Sequence, residues 1–362
     1  MGADRHAAFK LISVLIGVTV ALLIGETALR VRAAVTGRDP AEELQRTATS
    51  LPPPVAPGCP RSASASLGQL VRPSLDPGVV YELKPSIEAC FSGAYVRTTT
   101  DGLRTGRPVI QPKPADLYRI LLLGDSQTFG WGVAYEDTFA AVLEREMAAE
   151  TGHAVEVVNA GVPGYNTAQE AAFLERRGLS FTPDCVLVLF INNDFGLPYL
   201  MLERPALGSR RSYLWAAVQA ALRPARYRTE WRMAEGDTAT TVSDADLERV
   251  PPAYRGMVGL SGYERALRSM AAAVSRAGIP LIDFADYDGL PREVGEKLHR
   301  LHVELGLWHP EFHYPLKESF RLSPDDPHFS ADGHRHAARR MLDALRAMGV
   351  CLPKTKVAPS FR

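Results

Sequence analysis

Ser126, His328 and two aspartates close to the histidine carry the residue types from which a serine nucleophile is built. Ser126 lies in Gly124-Asp125-Ser126-Gln127, directly after the apolar run Ile120-Leu121-Leu122-Leu123. A hydroxyl in that place stands at the rim of a sheet, where open α/β sheets bind ligands beyond the carboxyl ends of their strands. By themselves, Asp125 and Ser126 are ordinary caps of a loop or helix. Far along the chain, Ser323-Pro-Asp325-Asp326-Pro-His328 places carboxylates just upstream of an imidazole. A short turn can hold either carboxylate against the ring, fixing its tautomer and supporting its charged form. The D-x-x-H spacing selects Asp325 and the D-x-H spacing selects Asp326.

Polar groups end other apolar runs in the same way. Val155-Glu-Val-Val-Asn159-Ala-Gly161-Val-Pro-Gly164 ends in a glycine-bearing loop, which lets backbone N–H groups approach a ligand. Val186-Leu-Val-Leu-Phe190-Ile-Asn192-Asn193-Asp194 ends in amide donors. Gly161-x-x-Gly164 falls short of a dinucleotide fingerprint, and no G-x-x-x-x-G-K-[ST] occurs, so no cofactor is expected. His328, His334 and His336 lack a further ligand at metal spacing, H-E-x-x-H is absent, and no cysteines are spaced C-x-x-C. No metal is expected either.

The elements that must position these groups alternate. Strands are expected at 119–123, 154–158, 185–191 and 280–284, and helices at 138–150, 167–177, 261–276, 292–304 and 332–347. This βαβ rhythm, with nearly all-apolar strands, predicts an α/β fold with a mainly parallel sheet covered by helices on both faces. Residues 196–258 interrupt it with partly basic sequence (Arg210, Arg211, Arg223, Arg226, Arg228), read as an insertion over the strand ends or a plain surface excursion.

Together the Ser126, Gly164, Asn193 and His328 stretches resemble the SGNH/GDSL hydrolase superfamily over roughly residues 117–348. The resemblance implies a flavodoxin-like three-layer α/β/α sandwich with Ser126 as nucleophile and His328 as base. It also implies an oxyanion hole of the Ser126 and Gly164 N–H groups and the Asn193 side chain. Asp326 is preferred over Asp325 as the triad acid, because D-x-H is common in anchored, polysaccharide-modifying members. Gln127 stands where the family pattern has Leu, and Ile191 where it has Gly. The implied chemistry is attack of Ser126 on an ester carbonyl, an acyl-enzyme, and release to water or to an acceptor hydroxyl. In such enzymes, loss of one oxyanion donor costs about 10²–10³ in turnover.

Domain organisation follows from composition. Residues 1–35 read as a membrane anchor or uncleaved signal segment, since Leu11–Leu29 would make a helix about 28 Å long, near one hydrocarbon thickness. Residues 36–75, with Leu51-Pro-Pro-Pro, read as a flexible linker, 76–116 as a small β-rich lead-in, and 117–350 as the hydrolase domain with the insertion 196–258. Arg5 and Lys10 before the span and Arg30, Arg32 and Arg38 after it leave orientation open. Cys185 reads as a buried free thiol, while Cys59 and Cys90 could bridge in an exported domain. A formal net charge of zero gives no electrostatic basis for nucleic-acid binding.

The leading expectation is an anchored, extracytoplasmic serine esterase acting on an O-acyl group, acetyl foremost, of a glycan or other small ester. The alternatives are an O-acyltransferase modifying an extracytoplasmic polysaccharide with the same triad, and a non-catalytic carbohydrate-binding descendant. Oligomeric state is left open.

Overall fold

The computed structural model describes residues 2–36, 59, 64–202, 212–222, 231–234, 244–285, 287, 290–310, 312 and 317–353. Most of the expected linker and the arginines singled out in the insertion lie outside them. The chain divides into two compact units, one of residues 1–50 with 202–231 and one of residues 51–201 with 232–362.

In the smaller unit, α1 (Gly2–Thr36) includes Ser13–Arg32, a stretch long and apolar enough to cross a membrane. Glu26 interrupts it. Its carboxylate accepts hydrogen bonds from the N–H groups of Tyr213 (3.0 Å) and Leu214 (2.8 Å) and from the Ser212 hydroxyl (3.0 Å).

In the larger unit, a short helical turn, α2 (Leu67–Leu70), leads into β1 (Val71–Pro73), which pairs with β2 (Tyr81–Leu83). This end of the expected linker is therefore ordered and buried, because Leu67, Leu70 and Val71 offer enough apolar surface to pack. The hairpin of β3 (Glu88–Phe91) and β4 (Ala94–Arg97) completes the lead-in. Cys59 and Cys90 are joined by a disulfide.

Next come β5 (Leu117–Leu123), the one-turn helix α3 (Ser126–Phe129), α4 (Phe139–Thr151), β6 (Ala154–Asn159), α5 (Thr167–Arg176) and β7 (Cys185–Leu189). The short strands β8 (Leu200–Leu202) and β9 (Trp231–Met233) are separated in sequence by α6 (Tyr213–Leu222), whose first amides Glu26 caps. After them run α7 (Gly259–Ala277), β10 (Leu281–Phe284), α8 (Arg292–Leu305), the hairpin of β11 (Arg321–Ser323) and β12 (Asp326–Phe329), and α9 (Ala331–Met348).

The four central strands pair in parallel in the order β10-β7-β5-β6. From β5 the chain steps to β6 on one side, then crosses to β7 on the other. The carboxyl end of β5 is thus a topological switch point, the position at which such sheets hold ligands. Alternation along the strands explains the layers: Ile120 and Leu122 pack with Phe139, Leu143, Ala338 and Met341 from α4 and α9. On the other face, α7 supplies Tyr263 and Leu267 and α8 supplies Leu298 and Leu301 to a second cluster around Phe190. Every residue of β5 except Tyr118 is buried, as strands covered on both faces require.

Cys185 is not a free thiol. It is bonded to Cys351 beyond α9, stapling the last helix to the start of β7, a pairing 166 residues apart that local sequence cannot reveal.

Candidate active site

The turn that carries Ser126 is shaped by Gly124 and Asp125. Gly124 has φ +154°, and a Cβ there would lie 2.0 Å from Thr128 Oγ1, so the close turn excludes any side chain. Asp125 caps α3, its Oδ1 accepting from Gln127 N–H at 2.9 Å. Ser126 is thereby placed at the end of β5, largely buried but reachable.

Opposite it, β12 presents His328. The imidazole Nε2 lies 2.9 Å from Ser126 Oγ across 202 residues of sequence, and Nδ1 lies 2.6 Å from Asp326 Oδ1. The same Asp326 oxygen accepts the His328 backbone N–H at 3.1 Å, so one carboxylate fixes both the ring and its main chain. Asp325 sits exposed on the preceding turn and makes no hydrogen bond to His328 among the described residues.

Asn193 meets the Ser126 turn through Asp125. Its Nδ2 donates to Asp125 Oδ2 at 3.1 Å, and the same oxygen lies 3.0 Å from Ser126 Oγ. Asp125 Oδ2 thus stands between the Asn193 amide nitrogen and the Ser126 hydroxyl. Burial pushes the Asp125 carboxyl up, opposed by the Gln127 N–H, the His328 charge and the Asn193 amide.

Gly164 lies in the loop after β6. Val162 N–H donates to Gly124 O (3.1 Å), and Asn159 bridges Thr128 O (2.8 Å) and Gly161 N–H (2.9 Å), so this loop is tied onto the Ser126 turn. Gly164 itself has φ +75°, with room for a Cβ denied by Tyr199. It makes no direct bond to Ser126 among the described residues, so the loop and the Ser126 turn are linked through Val162 and Asn159.

Other residues that sequence reasoning did not assign also hold the site. Gln127 Oε1 accepts from Phe329 N–H at 3.0 Å and its Nε2 donates to Pro327 O at 3.4 Å, gripping the backbone on either side of His328. The indole of Trp131 stacks on the His328 ring (centroids 4.8 Å apart, planes 11° apart), and Phe91 from β3 packs edge-on against that indole. Arg104 is fully buried and donates to the carbonyls of Phe129, Gly130 and Val133, the loop carrying Trp131. Burial lowers its pKa to about 10, partly offset by the Glu136 charge. The departure of Gln127 from the family pattern was the signal available for it; Trp131 and Arg104 carried none.

His334 belongs to the frame. It is buried, its Nδ1 accepts the Phe139 N–H at 3.2 Å, and burial, with the charges of Arg104 and His328, drives its pKa to about 3. No group of three or more possible metal ligands occurs among the described residues.

Comparison with known proteins bears on this geometry. The family model of the GDSL-like lipase/acylhydrolase family matches residues 122–336. Similar solved structures include a lipase/acylhydrolase from Enterococcus faecalis (18% identity, TM-score 0.40, covering 67% of this chain and 100% of that one). An esterase from Pseudoalteromonas sp. is 12% identical (TM-score 0.40, 64% and 97% covered), and a catalytic mutant of an acetylxylan esterase from Geobacillus stearothermophilus is 16% identical (TM-score 0.38, 63% and 94%). No curated protein matches the chain. The matched span runs from the end of β5, through the Ser126 turn, to the helix that follows His328. The chain belongs to the GDSL-like lipase/acylhydrolase family and is an ester hydrolase.

Proposed function

We propose that the protein is a serine esterase that removes a short O-acyl group, acetyl foremost, from a hydroxyl-rich alcohol through a Ser126–His328–Asp326 triad. The observation that carries this reading is the unbroken path of hydrogen bonds Ser126 Oγ to His328 Nε2 (2.9 Å) and His328 Nδ1 to Asp326 Oδ1 (2.6 Å). His328 takes the Ser126 proton as the hydroxyl oxygen attacks the ester carbonyl. Asp326 holds the tautomer with Nε2 unprotonated and then faces the imidazolium. Charge on the tetrahedral oxygen is met by the N–H groups of Ser126 and Gly164 and by the Asn193 side-chain N–H. His328 returns the proton to the leaving alcohol, then activates water to release the acid. An acceptor hydroxyl in place of water would make the same machinery an O-acyltransferase.

The disulfides Cys59–Cys90 and Cys185–Cys351 support an oxidising, extracytoplasmic setting, and α1 supports attachment to a membrane. The direct test is labelling by a fluorophosphonate probe together with hydrolysis of p-nitrophenyl acetate. Wild type labels and turns over, whereas Ser126→Ala does neither while keeping its thermal transition. Undiminished labelling of Ser126→Ala overturns the assignment of the nucleophile.

A further inference from the structure

Next to the triad lies a pocket of about 250 Å³ lined by Ser64, Ser92, Ser323, Asp325 and Asp326. Its lining residues are three hydroxyls and two carboxylates, drawn from two parts of the larger unit. Ser92 comes from the lead-in and Ser64 from the ordered end of the expected linker, where Ser92 N–H donates to Ser64 Oγ at 2.7 Å and Ala65 N–H donates to Cys90 O at 2.7 Å. The Cys59–Cys90 disulfide and the packing of Phe91 on Trp131 fix this wall beside His328. Ser323, Asp325 and Asp326 come from the hairpin of β11 and β12, which also carries His328.

The direction of the reaction decides which half of an ester this pocket can meet. The carbonyl oxygen must turn toward Asn193 and Gly164, and the leaving oxygen must collect its proton from His328. The alcohol therefore departs on the imidazole side, and the pocket shares Asp326 with that side. Among the described residues that line it, none has an apolar side chain to cover a fatty chain. A sugar finds carboxylate acceptors for its hydroxyl protons and serine hydroxyls that both donate and accept. Two carboxylates repel an anionic substituent. Drug-sized sites run to roughly 300–1,000 Å³, so the volume suits a single sugar ring rather than a long chain.

We propose that this pocket is the alcohol-side subsite and takes a neutral sugar residue, with Asp325 accepting hydrogen bonds from its ring hydroxyls. The proposal rests on the esterase reading above and gives the otherwise unused aspartate of the Asp325-Asp326 pair a task of its own.

The test compares full-length wild type, Asp325→Asn, Asp325→Ala and Ser323→Ala on O-acetylated cellobiose, on an O-acetylated acidic disaccharide, and on p-nitrophenyl acetate. The aryl ester brings no hydroxyls to the pocket. Replacing Asp325 is expected to lower kcat/KM for acetylated cellobiose roughly ten- to a hundredfold, mostly through KM, as for loss of hydrogen bonds to a charged group. Aryl ester turnover is expected to stay within about twofold, the size of a change at a site the small ester does not touch. Asp325→Asn is expected to narrow the preference of wild type for the neutral over the acidic disaccharide. An equal fall on all esters, or no fall on any, overturns the subsite. Ser126→Ala separates the two ideas, because retained aryl esterase activity there would sink the triad whatever Asp325 does.

Discussion

Gln127 grips the chain on both sides of the His328 imidazole, at the position where the family pattern carries Leu. Gln127→Leu keeps the bulk, deletes both bonds and leaves the Phe329 N–H without its partner. An unsatisfied buried donor costs about 1–3 kcal/mol, so β12 should lose its fixed register against Ser126. We expect kcat for p-nitrophenyl acetate to fall about tenfold at nearly unchanged KM. Gln127→Glu keeps the acceptor for Phe329 and should recover part of the loss; a change in KM alone would show that Gln127 only shapes the entrance. The residues of the site were legible as types at spacings: serine after an apolar run, histidine after aspartates, asparagine at a strand end. Choosing Asp326 over Asp325 from sequence rested on resemblance, because either could close a turn onto the ring. Trp131 and Arg104 were not legible, and Gln127 showed only as a departure from the family pattern, because their contacts depend on where distant backbone falls.

Among elements, the strands of the sheet could be read because burial on both faces leaves an almost unbroken apolar run, as in Leu117–Leu123. Three of the helices begin at capping side chains, Thr138, Asn166 and Ser330, each accepting an N–H of the first turn. The β11–β12 hairpin could not be read, since its few residues are held by pairing across Pro324 and Asp325 rather than by any period of their own. The Cys185–Cys351 link was missed for the same non-local reason. It closes a loop of 166 residues, and a chain-entropy model assigns such a closure about 5 kcal/mol. Cys351→Ala should therefore lower Tm in oxidising buffer and lose its difference from wild type once dithiothreitol is added to both. An unchanged Tm in oxidising buffer would mean that the staple adds nothing to stability.

At the scale of the molecule, two buried histidines make stability depend on pH with opposite signs. Burial disfavours charge on His302, but the hydrogen bond to Asp283, 2.7 Å away, and the attraction of that carboxylate outweigh it and hold the pKa above the usual value. Its contribution is fully present below the unfolded value of about 6.5 and is lost as pH rises through the raised folded value. His334, depressed to about 3, contributes above pH ~6.5 and loses that contribution as pH falls toward its folded value. Thermal melts across pH should show His302→Gln flattening the alkaline limb and His334→Gln flattening the acid limb. Both variants keeping the wild-type slope on both limbs would remove these groups from the account.

The carboxylate of Glu26 has a further consequence. Three donors at the start of α6 converge on it, so the apolar stretch of α1 and a segment some 186 residues later are sewn into one piece. A cut that removed this stretch of α1 would strip those amides of their acceptor and leave the start of α6 uncapped.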